Sequence, residues 1–129
     1  MSSRPDFPNT ACVGMHFRGE HAKTFAAGLE LGFTLSPERE PDNAYDMNAI
    51  KLMVEGSEEP WHLGYVDKHN ASWAAYHMDE IAETGEGRYI FMVEDVTSGN
   101  RGNPIVTGTL KFVPAETSEA EISEQILAD

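Results

Sequence analysis

The stretch EREPDNAYDMNAIKLMV, residues 38–54, changes abruptly from polar, turn-forming residues to an apolar strand. A proline followed by Asp42 and Asn43 is typical of a type I turn, because proline presets the backbone angle at the second turn position. The side chains of Asp46 and Asn48 can accept hydrogen bonds from nearby backbone amides, as in Asx-turns. Composition alone therefore favours a structural turn here, followed by a strand.

A metal site is the first alternative for this stretch, because Asp42, Asp46 and Asn48 carry oxygen ligands. The stretch lacks the fixed spacing, central glycine and closing glutamate of an EF-hand. The single cysteine, Cys12, excludes an internal disulfide and a thiolate zinc site. None of the five histidines forms a recognised ligand motif; they are His16, His21, His62, His69 and His77. We therefore predict no metal and no cofactor.

The charge of the chain limits the partners it can have. Its 129 residues carry 9 basic and 22 acidic side chains, a formal charge of −13. That sign opposes a protein that wraps nucleic acid by charge alone, so any nucleic-acid contact must be local and small. With no apolar run long enough for a transmembrane helix and no signal-peptide pattern, we expect a cytoplasmic protein with no membrane association.

Periodicity predicts a chain that is mainly β. Six segments read as strands: residues 11–17, 33–40, 49–56, 61–67, 88–96 and 105–113. So many short strands leave exposed edges unless the sheet closes, which favours a small barrel. In the last strand, Val106, Leu110 and Phe112 are expected to face inward.

Two helices complete the predicted elements. A short one ends near Gly28, and a longer one runs over residues 70–84, capped by Asn70 and stopped by Gly85. Trp61 and Trp73 are interpreted as core anchors. The predicted organisation is a flexible N-terminal arm over residues 1–10, one domain over 11–114, and an acidic tail over 115–129, either a frayed helix or disordered.

The quoted stretch also resembles a known family. The run REPDNAYDMNAIKL is similar to the signature of the HIRAN domain family, R-x-P-x-N-x-Y-D-x-N-A-I/V followed by an apolar strand. Two flanking segments resemble the family in the same order: CVGMHF looks like its opening strand, and HLGYVDKHNASWAA looks like its later strand and helix start. Together these segments extend from about Val13 to Ala75.

The resemblance implies a fold and a function. The implied fold is a small OB-like barrel of about six strands with one or two packed helices. HIRAN domains occur in DNA translocases and other DNA-processing proteins, and the best understood member binds the free 3′ end of single-stranded DNA. In such a pocket aromatic rings stack on the terminal bases, and an aspartate accepts a hydrogen bond from the 3′-hydroxyl.

The resemblance also implies site residues. Tyr45 and Asp46 match the Tyr-Asp pair, and Phe17 matches an aromatic position of the first strand. Tyr65 stands where some relatives have a histidine near the phosphate. We expect Phe17, Tyr45, Asp46 and Tyr65 to form one concave patch with the rings of Phe17 and Tyr45 partly exposed. The complete predicted nucleic-acid-binding set is His16, Phe17, Arg18, Asn43, Tyr45, Asp46, Tyr65 and Lys68.

The resulting hypothesis is a DNA-binding module that recognises single-stranded DNA, at its free 3′-hydroxyl end, in a repair, replication or phage-related process. Its partners would be the strand end and a DNA-processing protein. No nucleophile stands in an activating sequence context, so an enzyme is not expected. The alternatives are a protein-interaction module whose barrel has lost DNA binding, and an accessory subunit of a nuclease or helicase.

Overall fold

The computed structural model of the protein describes residues 4–56, 59–99 and 102–115. The predicted tail beyond residue 115 lies outside the described residues. Within these described residues, six strands, two α-helices and one 3-10 helix follow one another. In order they are β1 (Phe7–Val13), the 3-10 helix (Met15–Arg18), α1 (Glu20–Ala27), β2 (Thr34–Arg39), β3 (Ile50–Val54), β4 (Trp61–Val66), α2 (Lys68–Thr84), β5 (Gly87–Ser98) and β6 (Pro104–Pro114).

The six strands close into a barrel with the order β1-β4-β3-β2-β5-β6, and every pairing is antiparallel. The predicted small barrel is therefore confirmed. Closure removes the open edges that six short strands would otherwise expose. Helix α2 packs on β1, β2 and β5, and α1 packs on β5, β6 and the 3-10 helix.

Alternating apolar residues along the strands build the core. In β3, Ile50, Leu52 and Val54 are buried while Lys51 and Met53 between them are not. This is the period of two that a barrel strand requires, with one face inside and one outside. The predicted inward residues of the last strand, Val106, Leu110 and Phe112, are buried as expected.

The first strand differs from the sequence prediction. It occupies Phe7–Val13 rather than residues 11–17, so half of it falls within the predicted N-terminal arm. The strand ends because Gly14 has φ 80°, a left-handed conformation that breaks the extended chain, and the 3-10 helix follows. Ahead of the strand, the Arg4 guanidinium pairs with the carboxylates of Glu80 and Glu86.

Helix α2 begins two residues earlier than predicted, at Lys68, and its cap is Asp67 rather than Asn70. The Asp67 carboxylate accepts from the backbone amide of Asn70 at 3.1 Å and from that of Ala11 at 2.8 Å. One side chain thus caps the helix and holds it against β1. The helix ends at Gly85, as predicted.

We expect Asp67→Ala to lower the free energy of unfolding by about 1–2 kcal/mol, the usual cost of losing an N-cap of this kind. The loss should lie toward the upper value, because the Ala11 amide also loses its acceptor. Chemical denaturation measures the change. Glu83→Ala removes an exposed carboxylate from the same helix and should have little effect; equal destabilisation by both variants would contradict the capping role.

The two tryptophans occupy different environments. Trp61 is half-buried and packs edge-on against Phe25, with ring centroids 5.1 Å apart, as expected of a core anchor. The same expectation is wrong for Trp73, which is 64% exposed. Its position on α2 lies opposite the buried face formed by Ala71, Ala74 and Ala75.

Among the residues that the structure describes, no helix is long and apolar enough to span a membrane.

Candidate nucleic-acid interface

The loop between β2 and β3 is held by its own asparagine and aspartate side chains. Asn43 Oδ1 accepts from the backbone amides of Tyr45 at 2.8 Å and Asp46 at 3.0 Å. Asp46 Oδ1 accepts from the amide of Asn48 at 2.9 Å. The predicted turn bond of the Asp46 side chain is therefore confirmed, and the other two bonds come from Asn43, while Asn48 takes part through its backbone amide. These bonds stabilise a single backbone conformation over residues 43–48.

Arg39 fastens this loop to the barrel and to α2. Its guanidinium donates to the backbone carbonyls of Ala49 at 2.7 Å and Met47 at 3.0 Å, and it pairs with Asp79 of α2 at 2.8 Å. The arginine of the signature therefore has a structural role here. It spans the base of the loop and leaves the tip free to present side chains to solvent.

Two aromatic rings stand out from the surface near this loop and the 3-10 helix. Tyr45, at the loop tip, is 96% exposed, and Phe17, on the 3-10 helix, is 83% exposed. The predicted exposure of both rings is confirmed. Asp46, next to Tyr45, is half-exposed. A carboxylate has two oxygens, so the one not engaged by Asn48 can accept from a ligand.

Strand β4 lies between these two elements. Strand β4 pairs with β3, the strand that begins directly after the loop. It also contacts the 3-10 helix. The close approach of β4 to β1 and the 3-10 helix requires the glycine at position 64. A Cβ there would lie 2.7 Å from Cys12 Sγ and 3.2 Å from Met15 Cγ. Tyr65 comes directly after this glycine and is half-buried. Because it lies on β4, it is between the loop and the 3-10 helix.

Tyr65 is joined to the loop by a small polar network. Its hydroxyl donates to Glu40 Oε1 at 2.8 Å, and Asn43 Nδ2 donates to the same oxygen at 2.6 Å. The bonds from Asn43 and Tyr65 lower the pKa of Glu40, although partial burial opposes them. Burial first, and then the Glu40 carboxylate, raise the pKa of Tyr65. Because the folded-state pKa of Glu40 is depressed, its contribution to stability is present above the unfolded-state pKa and is lost as pH falls through the folded value.

Positive charge around Tyr65 is limited. Lys51 Nζ lies 3.7 Å from Glu40 and 3.9 Å from Glu38, so two carboxylates offset its charge. Burial lowers the pKa of His62, and Arg18 lowers it further. The lowered pKa favours the neutral form of His62, whose Nε2 lies 2.8 Å from the Gly64 carbonyl oxygen. Arg18 is exposed, and its positive charge lowers the pKa of both His62 and Tyr65.

The structure thus joins part of the predicted set. Asn43, Tyr45 and Asp46 share one bonded loop, Asn43 contacts Tyr65, and Arg18 acts on Tyr65. Lys68 is exposed in the first turn of α2, beyond the end of β4. The side chain of His16 lies outside the described part of the chain.

Three residues around Tyr65 were not predicted as part of the site: Glu40, Lys51 and His62. The signal for Lys51 was the predicted β3–β4 hairpin, because Lys51 and Tyr65 are directly opposite each other in its register. Within residues 4–56, 59–99 and 102–115, no cluster of three or more histidine, cysteine or acidic side chains is arranged to hold a metal ion.

Comparison with known proteins settles the family. The model of the HIRAN domain matches residues 9–103. The chain belongs to the HIRAN domain family. HIRAN domains are known generally as DNA-binding modules. No protein with a curated description matches the sequence.

Two solved structures share the fold of this chain. The crystal structure of a protein from Lactobacillus plantarum has a TM-score of 0.57 and 20% identity, covering 81% of this chain and 93% of that one. The HIRAN domain of human HLTF has a TM-score of 0.52 and 18% identity, covering 95% of this chain and 87% of that one. At such low sequence identities, the similarity shows only that the fold is shared.

Proposed function

We propose that this HIRAN domain is a binding module for single-stranded DNA that recognises a free 3′-hydroxyl end. The observation that carries the proposal is the bonded loop 43–48, which presents the exposed ring of Tyr45 beside the half-exposed carboxylate of Asp46. Phe17 supplies a second exposed ring on the neighbouring 3-10 helix. The domain would act with a DNA-processing partner and would perform no chemistry itself.

The chemistry of these groups suits the end of a strand better than its middle. An aromatic ring stacks on any base, whatever the sequence. A carboxylate repels a phosphate but accepts strongly from a hydroxyl, and an unmodified 3′ end is where a DNA strand offers one. Recognition of this kind requires few cations, which agrees with a chain of formal charge −13.

Binding of short labelled oligonucleotides tests the proposal. Fluorescence anisotropy should show the order 3′-hydroxyl single strand, then 3′-phosphate single strand, then blunt duplex. The slope of log affinity against log salt should be shallow, on the order of −1 to −2, since each contacted phosphate of a single strand contributes about −0.7. Arg18→Ala should reduce that slope. A steep slope in the unmodified protein, or equal binding of all three ligands, would refute end recognition.

Asp46→Asn should remove the preference for the hydroxyl end. The amide keeps an oxygen for the Asn48 amide, so the loop is retained, but the charged acceptor is lost. A hydrogen bond to a charged group contributes about 1.5–3 kcal/mol, so the preference should fall roughly tenfold or more. The salt slope should not change, because the carboxylate contributes no positive charge.

Asp42→Asn is the matched control for this experiment. It removes the same charge from an exposed position of the same loop. It should leave the preference intact. If both aspartate variants retain the preference for a 3′-hydroxyl, Asp46 is not its acceptor.

A protein-interaction module is the second candidate. It is favoured by Trp73 and Tyr76, which lie one turn apart on α2 and are 64% and 60% exposed. Failure to bind any of the three DNA ligands would favour this candidate over the first.

A further inference from the structure

Glu40 occupies the position where the donors of the site converge. Tyr65 Oη and Asn43 Nδ2 both donate to its Oε1 atom, at 2.8 and 2.6 Å, and Lys51 Nζ lies 3.7 Å from its Oε2 atom. The Glu40 side chain is only 25% exposed. Its position is fixed further by the backbone, since its amide bonds to the Ala49 carbonyl and its carbonyl accepts from Asn43.

This arrangement determines what Tyr65 can offer a ligand. A phenol has one hydrogen to donate and two lone pairs that accept. An ionised carboxylate can only accept, so the hydroxyl hydrogen of Tyr65 is committed to Glu40. One lone pair faces Asn43 Nδ2, 3.5 Å away, which leaves the other for a donor such as a hydroxyl group and nothing that binds a phosphate oxygen.

The same carboxylate removes positive charge from this edge of the site. Lys51 is opposite Tyr65 in the β3–β4 pairing and would otherwise be a phosphate contact. Glu40 and Glu38 together offset its charge. Arg18 also acts on Tyr65 with its positive charge, so the two carboxylates balance the two cations at this edge. A phosphate entering beside Tyr65 would still meet the Glu40 carboxylate and find no free hydroxyl hydrogen, and like charges repel at short range.

We propose that Glu40 is a specificity-determining residue that makes the Tyr65 edge select a strand end bearing a hydroxyl and reject one bearing a phosphate. This inference rests on the proposed function and adds a second determinant to Asp46. Asp46 accepts from the hydroxyl, whereas Glu40 acts through Tyr65 and Lys51, by setting the direction of a hydrogen and the net charge of the edge.

Glu40→Gln tests the inference, because glutamine keeps the shape and an acceptor oxygen but carries no charge. Affinity for a 3′-phosphate oligonucleotide should rise about tenfold, since a like charge a few ångströms away costs at least that near a surface. The salt slope for that ligand should steepen by about 0.7, the contribution of one added phosphate contact through Lys51. Affinity for the 3′-hydroxyl strand should change much less.

Glu38→Gln is the matched control, because Glu38 also pairs with Lys51, at 3.9 Å, but is not bonded to Tyr65. It should raise phosphate-end affinity less than Glu40→Gln. A second measurement needs no DNA: ultraviolet titration of tyrosine should show that the raised pKa of Tyr65 falls in Glu40→Gln and is unchanged in Glu38→Gln. A merely structural role for Glu40 would not produce this contrast.

The outcomes separate this inference from the proposed function. If the unmodified protein binds neither oligonucleotide, the proposed function fails, and the inference fails with it. If it prefers the hydroxyl end but Glu40→Gln leaves that preference and the Tyr65 titration unchanged, the inference alone is overturned. A gain for the phosphate end in Glu40→Gln that is matched by Glu38→Gln also overturns it, since only general charge would then be involved.

Discussion

Replacing Gly108 with alanine is expected to destabilise the barrel by about 3 kcal/mol or more, at or beyond the upper end of ordinary overpacking. Gly108 lies in β6 opposite Val93 of β5. A Cβ at this position would lie 2.0 Å from the Met92 carbonyl oxygen and 3.2 Å from Phe91 Cζ. The obstructing atom belongs to the backbone, so no rotamer change relieves the contact.

Gly28→Ala provides the matched control for this prediction. At Gly28, the C-cap of α1, φ is −96° and a Cβ would meet its nearest atoms at 3.8 Å, an ordinary contact. Alanine is therefore accommodated there, and reduced freedom of the unfolded chain should make the change neutral or stabilising by about 0.4–1 kcal/mol. Chemical denaturation of both variants gives the comparison. Similar stabilities for the two would contradict the close β5–β6 contact.

Strands β2 to β6 could be predicted because local signals agree with the final structure. Alternation in IKLMV and glycine-bounded or proline-bounded turns place these strands within a few residues of their observed ends. Closure could be predicted from the number of strands. Element β1 could not, since CVGMHF has strand composition throughout, and the change of direction depends on Gly14 adopting a left-handed backbone.

Side-chain environment was harder to predict than element type. Trp73 is a large aromatic residue in an amphipathic helix, and its size suggested a core position. The helix instead buries alanines at 71, 74 and 75, because small side chains let α2 lie close to the barrel. Composition identifies apolar residues but does not say which face of a helix meets the sheet.

The candidate site shows the same division. Turn chemistry and the family signature located Asn43, Tyr45 and Asp46 correctly in one loop. They did not reveal Glu40 as the acceptor for Tyr65, because that contact joins residues 25 positions apart. It exists only once the pairing of β2 with β3 and of β3 with β4 brings the two together. Long-range polar contacts of this kind depend on which residues are opposite each other in two successive strand pairs, and predicted strand limits do not give that pairing residue by residue.

The double variant Phe17→Ala/Tyr45→Ala should lower affinity for single-stranded DNA by roughly 30-fold or more. Stacking of a base on an aromatic ring contributes about 1–3 kcal/mol. The two rings lie on separate elements and can stack on different bases, so their losses should be close to additive. Folding should be unaffected, because the rings are 83% and 96% exposed and contribute little to the core. Anisotropy measures the affinity, and thermal unfolding verifies the fold.

Trp73→Ala/Tyr76→Ala is the matched control for this loss. It also removes two well-exposed aromatic rings, from the outer face of α2. Unchanged DNA affinity in this variant would place stacking at Phe17 and Tyr45. A general loss of aromatic surface would instead lower the DNA affinity of both variants alike. A larger loss in the α2 variant would instead place the strand on the helix, and the loop would then not be the stacking surface. Since each variant removes two exposed rings from a different place, the ratio of their losses of DNA affinity shows which surface the strand stacks on.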